Sequence, residues 1–226
     1  MPYLEKEEVD NRAASILSEI DYEGGAVPID AICEYLANNS GLVVNTNEDL
    51  PSGVLGQIAF NPDIISIDNL QASTNERTRF TLAHELGHFL LEHGRFMARE
   101  SCHEEDIAID DLGAINLRDI RRLEWQANYF ASCLILPKEQ FEKEVFSQTQ
   151  RYELSDRGHG LIYLDDQRCN VDTFHRVTAP LMKMFQVSRT VVKLRLMKLG
   201  FLNEAQQKPN KAFQPTRSLA RTVSRN

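Results

Sequence analysis

The spacing of apolar residues changes several times along this chain, and each change predicts a different element. Helical spacing covers residues 5–20, 27–38, 74–92 and 118–136. Between the second and third of these segments lie three short runs rich in β-branched residues, "GLVVNT", "GQIAF" and "DIISID", separated by Gly, Pro, Asn and Asp as strands are. The pattern therefore predicts an α+β fold, with helices packed on a small sheet.

The last of these runs has the alternation of a half-buried or edge strand. Ile65 and Ile67 alternate with Ser66 and Asp68.

The third helix has the spacing of a capping box at Ser73 and Glu76, and Gly94 is placed where a C-terminal cap would stand.

Composition and charge add to this picture. A chain of 226 residues with 42% hydrophobic content is long enough for a real core. Residues 1–175 carry 14 basic and 32 acidic residues (14 − 32 = −18), whereas from Arg176 onward 11 Lys and Arg face one acid (11 − 1 = +10). A basic end of this kind indicates contact with nucleic acid, a solvated tail, or a patch that docks on the acidic body.

The start of the chain and its cysteines bear on the compartment. The N-terminal residues include no apolar stretch of signal-peptide length, and no window approaches a membrane span. The four cysteines are widely separated and form no C-x-x-C pair. We therefore expect a cytoplasmic protein with reduced thiols.

The stretch "RFTLAHELGHFLLEH", residues 79–93, has the spacing of a metal site. His84 and His88 lie one helical turn apart, separated by about 40° and about 6 Å of rise, so both imidazoles can reach one ion. Glu85 projects from the same turn and can act as a base without being a ligand, as in H-E-x-x-H zinc peptidases. The alternative is a set of ordinary surface residues. Zinc is the favoured metal, with manganese and iron as alternatives.

A catalytic zinc of this type needs a third protein ligand, and Glu124 is the best candidate. It lies in the apolar stripe of the fourth helical segment, with Ile120, Ala127, Ala131 and Ile135. The alternative for Glu124 is a buried salt bridge to an arginine such as Arg79. Glu92 lies about 12 Å along the axis from His84 and is expected in solvent.

Other polar side chains are assigned supporting roles. Asn128, one turn after Glu124, is placed to hydrogen-bond a ligating histidine or to serve as a structural amide. Tyr129 and the remaining histidines are further candidates for helpers, with core, loop or surface positions as the alternative; those histidines are His93, His103, His159 and His175.

Four stretches of this sequence resemble the ImmA/IrrE family of metallopeptidases: "VPIDAICEYLA", "IISID" through "RTRFTLAHELGHFLL", "EWQANYFASCLILP" and "MFQVSRTVVKLRLMKLG". The resemblance implies a zincin-like fold that binds one zinc through His84, His88 and Glu124, with Glu85 as catalytic base. It also implies cleavage of a partner helix-turn-helix transcriptional repressor. By analogy with the fold, we expect the substrate to lie extended along "DIISID". The segments at 94–119 and 149–170 look like insertions and leave substrate choice open.

The segment "APLMKMFQVSRTVVKLRLMKLGF" has the pattern of a helix, a tight turn and a second helix that begins at Ser188. Arg189, Thr190 and Lys193 share its polar face and are candidates for contacts with DNA or a partner. In the alternative, its valines and leucines pack on the peptidase body.

The domain organisation and the function follow from these elements. We expect a zincin-like metallopeptidase domain at 1–150, a connecting segment or insertion at 151–175, a helix-turn-helix-like appendage at 176–203 and a disordered basic tail at 204–226. The preferred function is a regulatory zinc endopeptidase. The alternative is a DNA-binding regulator whose metal site is structural or vestigial.

Overall fold

The computed structural model describes residues 4–69, 75–103, 119–156, 158 and 160–205. Within them the α-helices are α1 (Lys6–Glu19), α2 (Ile29–Ser40), α3 (Asn75–Leu90), α4 (Asp119–Ile135), α5 (Lys138–Arg151), α6 (Arg168–Phe185) and α7 (Arg189–Lys198). The strands are β1 (Val43–Glu48), β2 (Val54–Ala59), β3 (Ile64–Asp68), β4 (Arg99–His103), β5 (Ile162–Leu164) and β6 (Leu202–Glu204). The predicted α+β class is confirmed, and the first four helices and three strands fall within a few residues of their predicted positions.

The larger sheet has the strand order β1-β3-β2-β4. β1 pairs with β3 in parallel, and β2 pairs antiparallel with both β3 and β4. β5 and β6 form a separate two-stranded parallel ladder.

The prediction of a half-buried or edge strand at "DIISID" is wrong. β3 pairs on both sides, so Ser66 and Asp68 are buried together with Ile65 and Ile67. Asp68 is accommodated because its carboxylate accepts a hydrogen bond from the backbone N–H of Leu50. The expected substrate position along this strand is wrong for the same reason, because an interior strand has no free edge for an added peptide.

The helices enclose a single apolar core against this sheet. α3 packs on α4 and crosses β2 and β3, while α1 packs against α4 and α2 against α3 and β1. From Phe80 to His88 every residue of α3 is buried, so the helix has no solvent face over the stretch that carries the H-E-x-x-H motif. α3 is therefore the central helix of the fold rather than an amphipathic surface helix.

The expected cap at Gly94 is also wrong. α3 ends at Leu90, and the residue with left-handed backbone conformation is Glu92, which precedes a 3-10 helix at His93–Arg95. Gly94 instead packs against Phe60, whose ring carbon would lie 2.6 Å from a Cβ at that position. Ser73, the predicted N-terminal cap, lies outside the described residues.

The C-terminal helices pack onto the rest of the molecule. The second helix begins at the predicted position, and Ser188 caps it, its hydroxyl accepting from the Val191 N–H. Val187, Val191 and Leu196 are buried in the common core. α6 continues through residue 175, where the sequence predicted the boundary between the connecting segment and the appendage. The described chain ends at residue 205, so most of the predicted tail at 204–226 lies outside it. Nowhere in the described ranges does a helix combine the length and apolar character that crossing a membrane requires.

Candidate metal centre

α3 and α4 approach closely beside the motif because Gly87 faces α4 without a side chain. A Cβ at Gly87 would lie 3.1 Å from the carbonyl oxygen of Ala127 and 3.1 Å from the ring of Phe130. The close approach brings Glu124 of α4 to the two histidines of α3. The tertiary contact depends on packing between helices, so the spacing within either helix does not specify it.

His84, His88 and Glu124 meet at one point in the interior. The two Nε2 atoms of the histidines lie 3.0 Å apart. The Glu124 carboxylate lies 3.4 Å from His84 Nε2 and 3.6 Å from His88 Nε2. Donor atoms around a tetrahedral zinc are separated by about 3.3 to 3.5 Å, given Zn–N distances of about 2.0 to 2.1 Å. The three side chains thus bring their donor atoms together at separations close to those around a single zinc ion, with the two Nε2 atoms somewhat nearer to each other.

Asn128 fixes the tautomer of His84. Its amide oxygen lies 3.0 Å from His84 Nδ1 and accepts the proton of that nitrogen. The lone pair of a neutral His84 is then on Nε2, the atom that faces His88 and Glu124. The predicted contact between Asn128 and a candidate ligand is present, and its function is to orient that ligand.

His93 and Gln126 do the same for His88. The Gln126 oxygen lies 3.1 Å from His93 Nε2 and accepts its proton, which leaves His93 Nδ1 as an acceptor. His88 Nδ1 lies 3.0 Å from this atom and donates to it. His88 Nε2 therefore carries its lone pair towards His84 and Glu124. Burial lowers the pKa of His93 to about 3 and that of His88 to about 4, so both rings are neutral at pH 7.

The charges of the cluster fit a bound cation. The Glu124 carboxylate is buried beside His84 and His88, and an ionised carboxylate in the interior requires a positive counter-charge. Among the described residues, its ion-pair partners are these two histidines. Arg79, the alternative partner considered from the sequence, donates instead to the backbone oxygen of Val27. Two unprotonated nitrogens 3.0 Å apart beside a carboxylate repel one another unless they share a positive ion.

Glu85 is completely buried beside the cluster but is not part of it. Gly56 of β2 makes room for its carboxylate, since a Cβ at Gly56 would lie 3.1 Å from Glu85 Oε1 and 2.6 Å from the Thr81 methyl group. Donor atoms of Glu85, His84 and Cys102 lie within 4.8 Å of one another. The position next to the ligands, yet outside their set, is the one expected of a base.

Glu100 is a fourth candidate ligand that the sequence did not reveal. Its carboxylate lies 3.7 Å from His88 Nε2, and a donor atom of each of His84, His88, Glu100 and Glu124 lies within 4.8 Å of the others. Glu100 stands on β4, and its approach depends on the pairing of β4 with β2. The alternation of the strand was the only local signal for it.

The other residues singled out from the sequence lie at the surface, in the core or outside the described residues. Glu92 is exposed and paired with Arg95, as expected, and Ile120 is exposed although it was placed in the buried stripe. Tyr129 donates to Asp10 and does not face the cluster's donor atoms, and His175 is exposed. His159 and the side chain of His103 lie outside the described residues.

The residues of α7 that were candidates for contacts with DNA or a partner lie close to other parts of the same chain. Arg189 donates to the hydroxyl of Thr178, and Lys193 pairs with Glu204 at 2.7 Å. Thr190 is exposed. Two of the three residues proposed for DNA or a partner thus make intramolecular contacts.

Comparisons with known proteins give one structural neighbour and one family for this chain. Among solved structures, the chain is similar to a transcriptional regulator of Mycobacterium tuberculosis, with a TM-score of 0.54 and 17% identity over 90% of this chain. The match covers 48% of that regulator, so this chain spans about half of its length. A search of curated proteins gives no match. The similarity to the regulator indicates a shared fold.

The family comparison extends over most of the described core. The model of the M78 peptidases, an IrrE N-terminal-like domain, matches residues 48–197, which include α3, β4 and α4 and all but the last residue of α7. The matched range contains both helices that carry candidate ligands, and the candidate base Glu85 on α3. This chain therefore belongs to the peptidase M78 family of IrrE N-terminal-like domains.

Proposed function

We propose that this protein is a cytoplasmic zinc-dependent endopeptidase of regulatory type, whose substrate is a partner helix-turn-helix transcriptional repressor. The observation that carries the proposal is the convergence of His84, His88 and Glu124 beside a buried Glu85 that lies outside their set. The family supports a metallopeptidase, and the regulator among the structural neighbours supports a role in gene control.

The residues that would hold zinc are His84, His88 and Glu124. Zinc supplies a Lewis acid that polarises a peptide carbonyl and acidifies water. The chain's own contribution is to keep both Nε2 atoms free of protons through Asn128 and through the His93–Gln126 pair. Because these contacts are already made within the buried cluster, the ligands need little rearrangement when the ion binds.

Glu85 is the group that moves the proton. Its carboxylate is placed to accept a proton from the attacking water and to donate it to the leaving amine of the cleaved bond. Gly56 lies so close to this carboxylate that a side chain at position 56 would meet it. Burial of Glu85 limits access of bulk water to this transfer.

The test separates chemistry from metal binding. Glu85→Gln should keep the zinc content and the circular dichroism spectrum of wild type while cleavage of a fluorescence-quenched peptide library falls by about 10²- to 10⁴-fold. Glu92→Gln is the matched control, because Glu92 is exposed beyond the end of α3, and it should cleave as wild type does. Cleavage by Glu85→Gln at the wild-type rate would refute the assignment of the base.

A second function, DNA binding by the basic C-terminal end with a structural metal site, is favoured by the charge of +10 from Arg176 onward (11 − 1). The intramolecular contacts of Arg189 and Lys193 argue against it. We therefore place this function second to the peptidase.

A further inference from the structure

β4 covers the edge of the sheet that lies next to the metal centre. It pairs antiparallel with β2, with Cys102 opposite Gly56 and Glu100 opposite Ile58. Within the described ranges no other strand pairs with the outer side of β4. If β4 were displaced, β2 would become the edge strand beside α3, and an extended peptide could pair with it in the position that β4 now holds.

The face of β4 that meets α3 carries two side chains with metal-binding chemistry. Glu100 and Cys102 share this face because residues two apart in a strand point the same way. Glu100 approaches His88, as described above, and Cys102 lies beside His84 and Glu85. Arg99, on the opposite face, is exposed. The segment thus directs a carboxylate and a thiol into the site and a charged residue into solvent.

With Glu100 included, the protein supplies a full set of zinc ligands. Structural zinc sites have four protein ligands, whereas catalytic sites have three and keep the fourth position for water or substrate. His84, His88 and Glu124 make three, and Glu100 is the fourth donor within 4.8 Å. A metal centre that included Glu100 would have no open position for a peptide carbonyl.

We propose that Glu100 is a removable fourth ligand and that β4 is an inhibitory strand, which closes the metal centre until an extended segment of the substrate protein displaces it from β2. This inference rests on the proposed peptidase function. Displacement exchanges one set of backbone hydrogen bonds for an equivalent set, since a peptide paired antiparallel with β2 would replace those of β4. A bond from Glu100 to the metal is a contact of β4 that the backbone of the substrate peptide would not replace.

The position of Glu100 makes it the ligand that can leave. Glu124 is carried by α4, which is packed against α1 and α3. Glu100 is carried by a five-residue strand whose partner in the sheet is β2. Release of Glu100 requires movement of an edge strand, whereas release of Glu124 requires movement of a core helix.

The experiment uses the cobalt-substituted full-length protein and acetohydroxamate, a small chelator that needs an open coordination position. Visible absorption of the cobalt should change with acetohydroxamate at lower concentrations in Glu100→Ala than in wild type. The apparent affinity should be at least about tenfold tighter in the variant, as for a wild-type site that is open no more than about one tenth of the time. Arg99→Ala, on the solvent face of the same strand, is the matched control and should titrate as wild type does.

Peptide cleavage is measured in parallel, and the outcomes separate the two proposals. Faster cleavage by Glu100→Ala together with tighter hydroxamate binding supports both. Tighter hydroxamate binding without cleavage by either protein supports the removable ligand and refutes the peptidase function. Equal hydroxamate binding by wild type and Glu100→Ala, or loss of cobalt from a Glu100→Ala protein that retains its fold by circular dichroism, overturns the inhibitory strand whether or not cleavage occurs.

Discussion

Two clusters of polar side chains are buried along α4, and they differ in how their charge is balanced. The metal cluster consists of His84, His88, Glu100 and Glu124. The arginine cluster consists of Arg195, Asp10, Tyr129 and Cys133. In the arginine cluster the cation is a side chain of the protein, whereas the carboxylate of Glu124 meets the imidazoles of His84 and His88.

The arginine cluster has a structural role, because it connects three helices. Arg195 is almost fully buried, and its guanidinium donates to Asp10, to the sulfur of Cys133 and to the backbone oxygen of Leu136. Tyr129 donates to the second oxygen of Asp10. Burial would lower the pKa of Arg195, but Cys133, Asp10 and Tyr129 raise it by more, so it stays charged. This cluster joins α1, α4 and α7 and needs no ligand.

A buried charge alone does not indicate a functional site. What distinguishes the metal cluster is that its donor atoms converge and that the ion-pair partners of Glu124 are the candidate ligand histidines themselves. A balanced cluster stabilises the fold under all conditions, whereas an unbalanced one is stabilised when a cation binds. The two clusters should therefore respond differently to mutation and to chelators.

The largest expected effect is from Arg195→Ala. Removing this guanidinium leaves Asp10 without its cation and opens a cavity between three helices, so the free energy of unfolding should fall by about 3 kcal/mol. Urea denaturation followed by circular dichroism measures this. The same loss should be found with zinc and with a chelator, because no contact of Arg195 involves the metal cluster.

Glu124→Ala is the contrasting variant for that experiment. It removes an ionised group from the interior, so the chelator-treated protein should be no less stable than chelator-treated wild type. Its zinc affinity should fall by more than the roughly 10- to 100-fold that follows loss of a group supporting a ligand. If chelation left wild-type stability unchanged, or if Arg195→Ala lost stability only with zinc present, the distinction between the clusters would be wrong.

A variant with a smaller expected effect distinguishes residues that orient a metal ligand from the ligands themselves. Gln126→Leu removes the oxygen that holds the proton on His93 Nε2, so His88 is no longer fixed with its lone pair on Nε2. Zinc affinity should fall by about 10- to 100-fold. Nitrogen-15 chemical shifts of the His88 ring in the metal-free protein should show mixed tautomers in the variant and one tautomer in wild type.

Gln148→Leu is the matched control for Gln126→Leu. Gln148 is also buried, but it lies on α5 and donates to Glu144. It should leave zinc affinity and the His88 spectrum unchanged. Equal losses of zinc affinity in both variants would indicate a general packing defect and contradict the role of Gln126.

The sequence specified those parts of the metal cluster that depend on one helix at a time. His84 and His88 follow from their spacing, and Glu124 with Asn128 from their place on the wheel of α4. His93 was underestimated because the chain turns after α3 through the left-handed Glu92 and returns His93 to contact His88, and helical spacing does not predict this turn. Glu100 was missed because its position depends on pairing between distant strands.

The topology of the sheet could not be predicted from local sequence patterns, for the same reason. Alternation in "DIISID" indicated an edge strand, but the parallel partner β1 lies some twenty residues earlier and covers that edge. Whether a strand is interior depends on which other strands pair with it, and alternation records only the polarity of its own faces. Ser66 and Asp68 are buried as a result, and Asp68 is retained through its hydrogen bond from Leu50.

The smallest effect is expected at the basic end, where the peptidase and the DNA-binding regulator predict different results. Arg189 and Lys193 each bind a partner in the same chain, and the Lys193–Glu204 pair is partly exposed, so Arg189→Ala with Lys193→Ala should cost only about 0.5 kcal/mol of stability. Zinc affinity and peptide cleavage should remain at wild-type values. Fluorescence anisotropy with duplex DNA is the deciding measurement, made across a range of salt concentrations because displacement of counterions makes any phosphate contact salt-dependent. We expect no submicromolar binding by wild type. Submicromolar binding that weakens steeply with salt and is lost in the double variant would show that these side chains exchange their internal partners for phosphates, and would favour the regulator.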